Sequence, residues 1–336
     1  MNHRLFPSAL RTVADSCRVA RGVQQILDRV REITKDDRSP VTVADFAVQA
    51  IVSLDLFEDD PKTLIVGEER AEVLRKPEQA AVFDAVVDAV RTVRPDTAPG
   101  EVLDAIDRCD HDASADAYWA LDPVDGTKGF LRSQQYAIAL GRIEGGRVTL
   151  GVIGCPNLPV DPSKTFDVPD REGAIYAAAV DEGVWEIPAA DPRAEPRAIR
   201  AAAYDAGRAI RVCESVEAEH SKHSDVMRIL EALGGESEPV RLDSQCKYAV
   251  VARGQADAYM RLPTRKDYVE KIWDHAAGSV IAAEAGAIVT DVTGTPLDFT
   301  HGRRLEVNRG VICAAAGLHG RIIDAIADLG IAAAAT

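Results

Sequence analysis

The feature that most constrains this 336-residue chain is the stretch Trp119-Ala120-Leu121-Asp122-Pro123-Val124-Asp125-Gly126-Thr127-Lys128-Gly129-Phe130, which sets two carboxylates, a glycine and a hydroxyl around one tight turn. Apolar Tyr118 to Leu121 reads as a buried strand. Pro123 fixes its own φ and keeps Asp122 out of the helical region, so the chain is expected to turn sharply after that strand and to aim Asp122 and Asp125 at one point. Gly126 admits unusual dihedrals and close backbone approach, and a helix starting near Thr127 would offer free N–H groups to phosphate oxygens. The pattern implies metal and phosphate chemistry, although Asp, Pro and Gly in this order also build ordinary turns.

The same carboxylate logic recurs. In Leu64-Ile65-Val66-Gly67-Glu68-Glu69 a short apolar strand ends in a glycine and two acids, which also suit a solvated loop. In Ile272-Trp273-Asp274-His275-Ala276-Ala277-Gly278 an acid sits where a helix begins, so Asp274 is a natural N-cap, a role worth about 1 kcal/mol. Asp45 falls in the first turn of a helix that follows Thr42 and reaches about Phe57, where a carboxylate complements the helix dipole.

Together, and in this order from residue 39 to about residue 299, the segments SPVTVADFAVQ, VGEE, DPVDGTKGFLR, GVIGCPNLP, LDSQCKYAVVARG, YMRLP, EKIWDHAAG and TGTPLDF resemble the 3′(2′),5′-bisphosphate nucleotidases, the lithium-sensitive phosphatases of the inositol monophosphatase superfamily. DPxDGTxxF, GEE and WDxAAG mark the superfamily; LDSQxKY, RLP and EKIWDHAAG are narrower. Residues 71–117 and 157–208 follow no motif of the family, and Glu219 stands where a small residue is expected.

The resemblance implies an α+β metal-binding domain over residues 1–205 and an α/β nucleotide-binding domain over 206–336, in a layered α/β/α/β/α sandwich with the active site between them. It assigns Glu68, Asp122, Asp125 and Asp274 as metal ligands, with the Val124 carbonyl completing one sphere and Glu69 peripheral. Four such acids could not stay ionised in one dry site without cations, and hard oxygen ligands suit Mg²⁺, two or three ions by the resemblance. Asp45 and Thr127 are implied to orient and deprotonate the metal-bound water. Gly126, Thr127, His220, Ser244, Lys247 and Arg261 are implied to hold the substrate, the last four chiefly its ribose and non-reacting phosphate. His275 is read as a neutral helix-turn residue.

The expected activity is removal of the 3′-phosphate of 3′-phosphoadenosine 5′-phosphate, with the sulfated analogue as a second substrate, Li⁺ inhibition and a place in sulfur assimilation. An inositol phosphate phosphatase on the same metal site is the nearer alternative. A non-catalytic phosphonucleotide sensor is the farther one, and the water-activating pair argues against it.

Composition is consistent with a soluble enzyme. Lys and Arg number 39 against 54 Asp and Glu, a formal charge of −15, which argues against binding polymeric nucleic acid or an anionic membrane; the resemblance implies a small nucleotide as the partner of a monomer. No apolar run approaches the ~20 residues of a membrane span. The six cysteines are scattered without zinc spacing, so reduced thiols and a cytoplasmic location are expected. The acidic run from Asp107 to Asp116 lacks the glycine and bidentate Glu of a calcium loop and reads as solvated.

Periodicity predicts a helix over 8–33, two helices within 77–107, and strands at 136–143, 147–155, 173–180 and 183–187 in an antiparallel meander. Residues 188–207, rich in Pro, Ala, Asp and Arg, read as a linker. Thereafter strands at 209–213, 239–242, 256–260, 286–290 and 310–314 alternate with helices at 221–233, 244–252, 273–285 and 317–329.

Overall fold

The computed structural model describes residues 6–26, 43–216, 223–263 and 268–331. Helix α1 (Phe6–Gln25) and helix α2 (Val43–Asp59) pack together on one face of a seven-stranded sheet. That sheet runs in simple order, β1 (Ile65–Gly67), β2 (Ala117–Asp125), β3 (Ala137–Glu144), β4 (Arg147–Cys155), β5 (Ala174–Ala179), β6 (Gly183–Pro188) and β7 (Arg197–Ile199). β1 is parallel to β2 and every later neighbour is antiparallel. Helices α3 (Ala80–Arg91) and α4 (Pro99–Asp107) join the same apolar cluster through Val82, Val86, Val102 and Ile106. The short helix α5 (Thr127–Leu131) follows β2.

The second sheet has the order β11-β12-β10-β8-β9, from β8 (Ile210–Glu214), β9 (Ser237–Arg241), β10 (Ala258–Arg261), β11 (Ala287–Thr290) and β12 (Val311–Ala315). Helices α7 (Cys246–Ala252) and α8 (Ala276–Glu284) lie between the sheets: Tyr248, Ala249, Ala277 and Ile281 share one core with Ala139, Ile153 and Tyr176 of the first sheet and Tyr259 and Cys313 of the second. Helices α6 (His223–Leu233) and α9 (Ala316–Asp328) cover the far face, where Ile229, Leu318 and Ile322 meet Val212, Met260 and Ile312. Alternating strand residues thus feed different cores, and five layers result, helices, sheet, helices, sheet, helices. Glycines permit the tightest layer contacts, since a Cβ on Gly141 or Gly151 would fall under 3 Å from α8.

The elements follow the sequence pattern, with corrections. Helix α1 ends at Gln25 and Ile26, expected on its apolar stripe, is 46% exposed; the rest of the predicted 8–33 helix lies outside the described residues. The linker contains a strand, because β7 pairs with β6 and buries Ile199. The chain does not turn sharply after Leu121; β2 continues through Pro123 to Asp125. Asp274 does not cap α8, because His275 occupies the N-cap position and the helix begins at Ala276. Among the described residues no helix is long and apolar enough to cross a membrane.

Candidate metal and phosphate site

The continuation of β2 brings its two acids together. Residues an odd number apart on a regular strand face opposite sides. Here Asp122 pairs with Ala139 and Asp125 with Ala137, so β2 spends three residues where β3 spends two. That one-residue bulge, at the proline that cannot donate to the ladder, turns Asp125 to the side of Asp122. The strand then ends at Gly126, whose φ of 85° lets α5 start at Thr127. Within this turn the Thr127 hydroxyl donates to the Val124 carbonyl at 3.2 Å.

Two further segments converge here. β1 lies parallel to β2, with Gly67 opposite Leu121, and delivers Glu68 and Glu69 just beyond it. Gln49 of α2 fixes that loop: its amide N–H donates to the Glu69 carbonyl at 2.9 Å, and its carbonyl accepts the Glu69 N–H at 2.9 Å. Gln49 is one turn beyond Asp45, so the same helix face carries the buried Asp45 and the clamp on the acidic loop. From the other side, Asp274 arrives ahead of α8.

One cavity of about 270 Å³ is lined by Glu68, Asp122, Val124, Asp125, Gly126, Thr127 and Asp274 together with Ser244, Lys247 and Arg261. Of the residues singled out in the sequence, Asp45, Glu69 and His275 do not line it, although the Asp45 charge acts on Asp122 and Glu69, and His220 falls outside the described residues. Ser244 does not begin the helix as expected. It adopts a left-handed φ of 67° and accepts the Cys246 N–H at 3.2 Å, just before α7 starts. Lys247 donates to Ser215 Oγ at 2.9 Å, and Arg261 closes β10.

The acids repel one another. Burial raises the Asp122 carboxyl well above its usual range, and Glu68, Asp125, Asp274 and Asp45 push it further. Burial also raises Asp274 well above that range, with Arg261 opposing and Asp125 adding. Asp125 is raised by burial against the Gln245 N–H, Lys247 and Arg261. Protein atoms packed around Glu68, with the Asp125 charge, raise that carboxyl although much of the residue faces solvent. Glu69 is pushed up to about 8 by burial, then by Asp45 and Glu68. Asp122 Oδ1 is buried and has no hydrogen-bond partner among the described residues. A hard-oxygen donor set with an orphaned carboxylate oxygen and mutual repulsion fits a divalent cation.

Several participants carried no separate signal in the sequence. Gln49 could have been found as the i+4 neighbour of Asp45. Ser215, Asp243 and Tyr259 also line the cavity, but only the pairing of β8 with β10 brings the first near the last. Asp243 joins two segments, accepting the Val216 N–H at 3.0 Å and Arg132 Nη2 at 2.6 Å. Burial lowers the His275 pKa, with the Glu270 carboxylate acting against it.

Comparison with known proteins agrees with this architecture. A model of the inositol monophosphatase family matches residues 9–330. A 3′(2′),5′-bisphosphate nucleotidase of Emericella nidulans is 42% identical over 317 residues, which cover 88% of this chain and 89% of that protein. A 3′(2′),5′-bisphosphate nucleotidase of Schizosaccharomyces pombe is 40% identical, covering 88% and 86%, and a 3′,5′-bisphosphate nucleotidase of Arabidopsis thaliana is 40% identical, covering 87% of each. Among solved structures, an inositol monophosphatase from Anabaena superposes with a TM-score of 0.61 at 17% identity, covering 96% of this chain and 95% of that one. One from Thermotoga maritima gives 0.62 at 16%, covering 98% of each. These two establish the fold alone.

Proposed function

The chain belongs to the inositol monophosphatase family, and from that premise we propose that it is a Mg²⁺-dependent phosphatase that removes the 3′-phosphate of 3′-phosphoadenosine 5′-phosphate, giving AMP and inorganic phosphate. The observation that carries this reading is one cavity lined both by clustered acids and by the cationic side chains of Lys247 and Arg261. A substrate with two phosphates matches both sets, and the relatives named above are bisphosphate nucleotidases.

Glu68, Asp122, Asp125 and Asp274, with the Val124 carbonyl, would hold two or three Mg²⁺, and Glu69 stands outside them. When bound, the ions supply positive charge against the transferring phosphoryl group and the leaving oxygen. Asp45 accepts a proton from the attacking water, which Thr127 orients. The Gly126 turn takes the reacting phosphate closely. Lys247, Arg261, Ser244 and His220 hold the ribose and the 5′-phosphate, a charge-assisted grip. The sulfated analogue fits the same arrangement. Residues 1–205 and 206–336 act as the metal-binding and nucleotide-binding domains of a monomer. The six free cysteines support a cytoplasmic setting. Li⁺, taking one oxygen-lined position with too little charge to sustain turnover, inhibits.

Phosphate release from 3′-phosphoadenosine 5′-phosphate and from inositol 1-phosphate, each with and without Mg²⁺, tests the reading. Mg²⁺-dependent release with the nucleotide preferred supports it. Preference for the inositol phosphate replaces it, and silence on both returns the chain to a binding role.

A further inference from the structure

Arg261 reaches the cavity from the end of a strand, and a long side chain there needs something to hold it still. That partner is Glu270, 5% exposed and outside every assignment made above. Its Oε1 accepts Arg261 Nε at 2.8 Å, while the Arg261 Nη2 donates to the Tyr268 hydroxyl at 3.3 Å. The other oxygen, Oε2, lies 3.3 Å from His275 Nε2, and His275 Nδ1 meets the Tyr248 hydroxyl at 2.9 Å. His275 and Tyr248 are fully buried, and the Tyr248 ring is pinned because it lies where a Cβ on Gly278 would fall, 2.1 Å from the nearest ring atom. The row Arg261, Glu270, His275, Tyr248 therefore ends on a side chain of α7 fixed against Gly278 of α8.

Glu270, Asp274 and His275 also place ligand atoms within 4.8 Å of one another. Glu270 and His275 are engaged with each other, with Arg261 and with Tyr248, so they form a hydrogen-bonded support and not a further cation site.

We propose that Glu270 is a positioning residue that sets specificity for a substrate with a second phosphate, by holding Arg261 Nε and so fixing the guanidinium, whose Nη2 meets Tyr268, where the side chain lines the cavity. The proposal rests on the function assigned above, in which Arg261 grips the non-reacting phosphate. A planar guanidinium binds phosphate well only when its orientation is set.

The test is kcat and KM for 3′-phosphoadenosine 5′-phosphate and for adenosine 3′-monophosphate in wild type, Arg261→Ala, Glu270→Gln and the double variant. For Glu270→Gln the preference for the bisphosphate should fall about ten-fold, mainly through KM, within the range expected for charge-assisted contacts. The double variant should lose little beyond Arg261→Ala, since two residues acting through one contact are not additive. Equal losses on both substrates, an effect on kcat alone, or additive losses would overturn the proposal. Should Glu270→Gln unfold, Glu270→Asp, which withdraws the carboxylate by one methylene, is read by the same criterion. A wild type with no preference for the bisphosphate defeats the functional reading itself. A selective wild type and Arg261→Ala effect beside an unaffected Glu270→Gln defeats only the positioning role.

Discussion

The Asp125 carboxylate accepts the Gln245 backbone N–H at 2.5 Å. This bond ties the turn that ends β2, where the acids gather, to the turn that leads into α7, where Ser244 and, one residue into the helix's start, Lys247 line the same cavity. The two turns also touch through their small residues: a Cβ on Gly126 would lie 2.9 Å from Ser244 Cβ. The acidic and the cationic lining residues are thus held in register by a hydrogen bond and a close contact.

Gly126→Ala should damage both sets together. Gly126 has a φ of 85°, and a side chain there costs about 1 to 3 kcal/mol of backbone strain before the collision with Ser244 is counted. Urea denaturation should show a loss of that size, and kcat/KM should fall for every substrate. Wild-type stability in the variant would mean that the turn is free to rearrange.

Removing the metal should make stability depend on pH. Glu69 rises from an ordinary 4.5 to about 8, and Glu68, Asp122, Asp125 and Asp274 rise as well. A group whose native pKa is raised contributes stability that is present below its unfolded pKa and is lost as pH climbs through the native value. In EDTA, Tm should therefore fall as pH rises from about 4.5 to about 8, the window set by Glu69. Saturating Mg²⁺ should flatten that slope, because the cation binds the ionised native site. Identical slopes with and without Mg²⁺ in scanning calorimetry would count against a cation at these acids.

Asp122→Asn should stabilise the metal-free protein. It replaces a buried carboxylate, one of whose oxygens has no partner among the described residues, by a neutral group, a change worth about 1 to 3 kcal/mol. The increase in Tm that Mg²⁺ confers on wild type should shrink or vanish in the variant. A destabilised apo variant that Mg²⁺ still protects fully would remove Asp122 from the ligand set.

The fold was legible in the chain to the degree that periodicity and turn residues decide it. The meander from β3 to β6 and the later alternation of strands and helices appear where the pattern puts them. What escaped depends on partners distant in sequence. The bulge at Pro123 exists because β2 is paired to β3, and a proline three residues ahead of a glycine reads locally as a turn. β7 has only three residues and takes its identity from β6, not from its own composition. In the site, residues with a distinct charge in a motif could be singled out, whereas Gln49 and Asp243 act through backbone contacts to remote segments. Ser244 in a left-handed conformation has no local signal at all.

Asp45→Asn should leave substrate binding nearly as it is while kcat falls by about 10²-fold or more, the usual worth of general-base help. Steady-state kinetics at saturating Mg²⁺ would show it as a change in kcat with little change in KM. Near-wild-type turnover would mean that another group takes the proton.

The central claim is that the acidic cluster acts on the 3′-phosphate while Lys247 and Arg261 retain the other one. Phosphorus NMR of 3′-phosphoadenosine 5′-phosphate during Mg²⁺-started turnover tests it most directly. The account predicts loss of the 3′-phosphate resonance alone, growth of inorganic phosphate in equal amount, and AMP as the sole nucleotide product. Release of the 5′-phosphate, or no Mg²⁺-dependent change in either resonance, would contradict it.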